Sequence, residues 1–157
     1  MDRMKKQLVE LWEKVGFIVH LSQMVEYNLA NILAFDEILR EFEITDSMFV
    51  FEYNEFVKRA NNWYKELSKR TFGGNVKRAK EIKFFTEESE ELLLKAIEKR
   101  NYVIHSLFKD DLKNKYLETN PKYYFNELEE TISLLNSINE SLVEIFKHQK
   151  QEHNLIW

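Results

Sequence analysis

The sequence predicts an all-α fold, an up-and-down four-helix bundle with a short extra helix. Three observations predict it. Apolar residues recur at spacings of three and four through most of the 157 residues. Breakers are scarce: one proline, Pro121, and three glycines, Gly16, Gly73 and Gly74, too few for the turns of a sheet. Hydrophobic residues make up 44% and charged residues 32%, the balance of a globular domain and not of a disordered segment. A chain of this length buries one substantial core, so residues 1–157 are read as a single domain.

The first helix is expected from about Asp2 to about Phe42. Leu8, Leu11, Trp12, Val15, Ile18, Val19 and Leu21, then Val25, Leu29, Ile32 and Leu33, keep helical spacing. Gly16 marks a bend or a close helix contact. The second helix is expected from about Ser47 to Ser68, capped by Asp46 or Thr45. Thr71-Phe72-Gly73-Gly74 reads as a turn, and a short basic helix follows from Asn75 to Phe84. The third helix is expected from Glu87 to about Phe108. Thr86 suits its N-cap, and the glutamates of the first turn suit the positive end of the helix dipole. The fourth starts at Pro121, a good first helical residue, with Asn120 before it, and runs to about Lys150.

Composition excludes several functions. There is no cysteine, hence no disulfide, thiolate zinc site, iron–sulfur cluster or cysteine nucleophile. That fits a reducing compartment, and a cytoplasmic location is expected. No run of eighteen apolar residues exists, so no membrane partner is expected. The net charge of −4 argues against a general nucleic-acid coat. Yet from Lys69 to Lys83 there are six bases and one acid. Lys69, Arg70, Lys77 and Arg78 are therefore candidates for tracking a polyanion backbone, although a solvated basic surface explains each one as well. His148, four residues from both Glu144 and Glu152, is read as an exposed helix face, so no metal and no cofactor are expected.

The third helix carries the feature that a plain bundle does not explain. At about 100° per residue, Leu93, Ile97, Ile104 and Leu107 lie within about 60° of Arg100. A guanidinium therefore sits in the middle of an apolar stripe, where its charge must be paired or must reach an interface. Asn101 and His105 share one edge of that stripe, four residues apart. A structural Arg100 paired with an acid of the first helix, beside an ordinary edge histidine, would also fit.

Lys99-Arg100-Asn101-Tyr102-Val103-Ile104-His105 resembles the motif of HEPN domains: Arg, a polar residue, three variable residues, then His. The late-helix position after Leu92-Leu93-Leu94-Lys95-Ala96-Ile97 is similar too. Leu67 to Gly74 looks like the turn that precedes the motif helix in some single-domain members, departing from it at Phe72 and at the second glycine. The resemblance covers most of the chain in architecture, but its specific part is short. It implies a metal-independent endoribonuclease that works as a homodimer with a composite site. It also implies a toxin or phage-defence role, with a cognate antitoxin protein as a further partner.

In that reading Arg100, Asn101 and His105 are catalytic. The 2′-hydroxyl of RNA is the nucleophile, and a 2′,3′-cyclic phosphate is the product end. Glu26 is a candidate to hold Arg100 or His105, a solvated surface charge being the alternative. Tyr102 is a candidate to stack on a base or pack on a partner. Two other functions compete: a catalytically inactive HEPN-like bundle that binds a protein or a nucleotide, and a helical interaction module outside this family.

Overall fold

A computed structural model describes residues 2–45 and 53–152 of the chain. Among the described residues there is no strand, and seven helices carry almost the whole backbone. They are α1 (Arg3–Thr45), α2 (Tyr53–Ser68), α3 (Phe72–Glu81), α4 (Glu87–His105), α5 (Leu107–Asn114), α6 (Tyr116–Thr119) and α7 (Pro121–Glu152). None is long and apolar enough to cross a membrane. The expected start of the second helix at Ser47, its cap Asp46 and the tail Leu155–Trp157 lie outside the described residues.

The helices form two compact packing units. One is the first part of α1, up to Val25, with Thr86–Asn139; the other is Glu26–Phe85 with the rest of α7. In the first unit, Leu11, Ile18, Leu21 and Val25 of α1 are buried, as are Leu93, Ala96 and Val103 of α4 and Tyr124, Leu128 and Leu135 of α7. These are the three-and-four spacings of the sequence, now removed from water.

In the second unit α1 behaves differently. Leu29, Ala30, Ile32, Leu33, Ala34, Phe35, Glu37 and Ile38 are all buried, so this stretch is enclosed on every side and not on one stripe. Phe35 meets Phe56 edge-on at 5.6 Å and Phe146 at 6.2 Å between ring centroids. Ile38 and Ala60 complete that cluster, with Trp63 packed against it.

Glu37, 7% exposed, is enclosed with the apolar residues. Arg78 of α3 meets its carboxylate with two guanidinium nitrogens, Nε at 2.8 Å and Nη2 closer still. A buried carboxylate needs such a partner, because its desolvation is otherwise uncompensated. Burial opposes the charge of Arg78, but the bond to Glu37 outweighs it and holds the guanidinium above its ordinary pKa.

Thr71 to Gly74 is not a turn. Thr71 is the N-cap of α3, its hydroxyl accepts the Gly74 N–H at 3.0 Å, and Phe72, Gly73 and Gly74 already form the first helical turn. Gly74 leaves room for the cap, since a Cβ there would stand 3.2 Å from the Thr71 hydroxyl. The reversal itself lies at Lys69–Arg70, where the Arg70 N–H bonds to the Leu67 carbonyl. Buried Asn75 ties the two helices by donating to that same carbonyl at 2.9 Å.

α3 ends at Glu81, short of the expected Phe84, in a Schellman motif. The Phe84 N–H reaches the Ala79 carbonyl and the Lys83 N–H the Lys80 carbonyl. Lys83, at φ 53°, occupies the left-handed position usually held by glycine.

Thr86 caps α4 as expected, accepting the Ser89 N–H at 3.2 Å. α7 starts at Pro121 as expected, and the Asn120 carbonyl accepts the Tyr123 N–H at 3.1 Å. The third helix, expected as one piece to Phe108, is interrupted at Ser106 (φ −125°, ψ −32°). Its backbone ladder nonetheless crosses the break. Ser106 N–H bonds to Tyr102 and the Ser106 carbonyl accepts from Asp110. The two short helices α5 and α6 were not legible as such. Lys115, at φ 53° and ψ 36°, turns the chain between them, and Asp111 accepts the Leu117 N–H at 2.9 Å.

Candidate active site

The site is built on the last two turns of α4. Leu93, Ala96 and Val103 are the buried residues of that helix, and Leu107 continues the stripe beyond the break. Arg100 lies on the same arc and is half-buried. Its stem follows the core, and the Nε of its guanidinium is buried with it. The head is fixed by a bond from Nη1 to the Asn101 side-chain oxygen at 3.0 Å.

That bond matters because of the spacing of the motif. Arg100 and His105 are five residues apart, which sets them about 140° apart around the helix and about 7.5 Å along it. Asn101 and His105 differ by only about 40° and lie roughly one turn apart. The bond joins the guanidinium to a residue of the edge that also carries His105. Asn101 and His105 are both exposed, and His105 is the final residue of α4.

Lys99 pins this helix to α7. Its ammonium bonds to Glu130 at 3.0 Å and Glu127 at 3.4 Å. Burial works against its charge, yet the two carboxylates raise its pKa above the ordinary lysine value. The pairing of Lys99 across elements escaped the sequence reading, because Glu127 and Glu130 lie about thirty residues away.

Tyr102 is half-buried. Burial pushes its hydroxyl above the usual range, and the Asp110 carboxylate beside it pushes the same way. Tyr124 is fully buried and forms with Tyr116 and Tyr123 a cluster whose centroids lie 5.0 to 5.9 Å apart. Burial raises Tyr124 as well, with Asp111 adding to the effect.

No family model matches this chain, and no curated protein or solved structure matches it. The site is therefore read from its own geometry.

The remaining candidates fall in the second packing unit. Glu26 is half-buried on α1. Lys69 is exposed and pairs with Glu66 at 3.3 Å, while Arg70 and Lys77 are exposed. Arg78 is committed to Glu37, with Glu81 a second carboxylate at 3.7 Å. Among the described residues no group of three or more His, Asp or Glu stands close enough to hold a metal ion.

Proposed function

We propose that the chain is a HEPN-type, metal-independent endoribonuclease, a single up-and-down bundle domain that acts as a homodimer. The observation that supports this reading is the Arg100–Asn101 bond at 3.0 Å, which links the guanidinium to an exposed residue one turn from His105. A planar cation bonded to an amide, with an imidazole one turn further along the helix, suits a phosphodiester. The guanidinium fork clamps phosphate oxygens and keeps its charge at any working pH. The imidazole is the side chain best matched to proton transfer near neutral pH.

The reaction follows from RNA's own nucleophile. His105 takes the proton of the ribose 2′-hydroxyl, whose oxygen attacks phosphorus while the bond to the 5′-oxygen breaks. The partner subunit's His105 protonates that leaving oxygen. The products are a 2′,3′-cyclic phosphate and a 5′-hydroxyl. Arg100 stabilises the charge that gathers on the phosphorane, and Asn101 positions Arg100. In this reading Lys69, Arg70 and Lys77 follow the RNA backbone. A cytoplasmic toxin or phage-defence effector, held in check by an antitoxin protein, is the role this activity fits.

The test is direct. Purified chain is incubated with single-stranded RNA in excess EDTA, and the product ends are identified. Cyclic-phosphate ends are expected, with activity lost in His105→Ala and no cleavage of DNA. Cleavage abolished by EDTA, or untouched by His105→Ala, would overturn the reading.

A further inference from the structure

α5 follows α4 directly after the break at Ser106 and carries Phe108 and Leu112, about one turn apart. Both are open to solvent, Phe108 at 40% and Leu112 at 84%. An exposed aromatic and an exposed leucine thus stand about one turn apart immediately after the motif helix.

The charges of α5 are sorted as well. Its two carboxylates are withdrawn: Asp110 stands beside Tyr102, and Asp111 accepts the Leu117 N–H. Its two ammonium groups, Lys109 and Lys113, are exposed. The open surface of α5 is thus an aromatic, a leucine, two cations and the terminal Asn114, with no carboxylate among its exposed residues. Aromatic and basic side chains interleaved in this way are what an unpaired nucleic-acid strand requires, bases stacking on the ring and phosphates lying over the cations. An apolar protein partner would have no use for the flanking lysines.

We infer that α5 is the substrate-binding platform of this chain, on which Phe108 stacks an unpaired RNA base next to the scissile phosphate while Lys109 and Lys113 hold the adjoining backbone. The inference rests on the ribonuclease reading for its substrate class. It also makes the enzyme selective for single strands, because a base already stacked in a duplex cannot lie on Phe108.

Binding is measured with a labelled single-stranded oligonucleotide whose 2′-oxygens are methylated, which removes the nucleophile and separates binding from cleavage. Phe108→Ala is expected to weaken binding about tenfold, Phe108→Trp to retain it and Phe108→Leu to behave like the alanine variant. Lys109→Ala and Lys113→Ala should each lower the salt dependence of the binding constant by about 0.7 in log–log slope. These lysines are exposed, so their variants report even if Phe108→Ala lowers stability. The duplex of the same sequence should bind more weakly than the strand.

The platform is overturned if the wild-type chain does not bind the strand, if Phe108→Leu binds as well as wild type, or if the variants alter self-association and leave strand binding unchanged. Cleavage with unaltered strand binding in every variant removes the platform and leaves the ribonuclease. Strand binding that depends on Phe108, in a chain that cleaves no RNA, does the reverse.

Discussion

Two arginines of this chain occupy inward-facing arcs and serve different ends. Arg78 reaches across the fold to Glu37, forty-one residues away, and cancels a buried charge. Arg100 bonds to the adjacent Asn101, a neutral and exposed amide. The first is a cross-brace of the second packing unit; the second is held in position at a surface. Residue type and periodicity are the same in both cases. What differs is the reach of these bonds: one spans forty-one residues to an enclosed carboxylate, the other a single step to an exposed amide.

The comparison is sharpened first at the site. Arg100→Ala should lower RNA cleavage by about 10²- to 10³-fold, the usual cost of removing one group that stabilises transition-state charge. Cleavage rates normalised to folded protein check this, and an unchanged rate would make Arg100 a second brace. The mirror experiment is Arg78→Ala. It leaves Glu37 buried without its partner and should cost about 3 kcal/mol of stability, read from the urea midpoint. The turnover of the molecules that remain folded should hardly change. If instead RNA binding falls while stability holds, the two arginines are not distinguished by their neighbours.

A smaller effect is expected at high pH. Tyr102 and Tyr124 carry folded-state pKa values above their ordinary value of about 10. A raised value means that the folded chain holds its phenolic protons longer than the unfolded one. The corresponding stability is present in full below about pH 10 and is lost as pH rises through the folded values. Phenolate absorbance should show two late-titrating tyrosines, and Tyr102→Phe should reduce the alkaline fall in the urea midpoint. The smallest effect belongs to the braced side. Lys83→Gly relieves a left-handed residue at the end of α3 and should stabilise the chain by about 1 kcal/mol, visible as a higher Tm.

Local signals were the readable ones. Thr86 and Pro121 mark helix starts because their preferences act within one turn. The motif arc was readable too, since Arg100, Asn101 and His105 lie within six residues of one helix. The Gly73-Gly74 pair misled, because glycine signals freedom and cannot say whether the freedom serves a turn or the space beneath a cap. The break at Ser106 was illegible. The apolar spacing runs through it undisturbed, and the backbone ladder bridges it.

Helical class, the main helix boundaries and the inward position of Arg100 follow from the sequence alone, because periodicity and capping are short-range properties that need no knowledge of what packs where. The commitment of Arg78 to Glu37, the clamp of Lys99 on Glu127 and Glu130, the withdrawal of Tyr102 towards Asp110 and the exposure of Phe108 were decided only by tertiary structure. Each depends on which distant group fills the space beside a side chain, and a linear pattern cannot specify that when several charged partners are equally available along the chain.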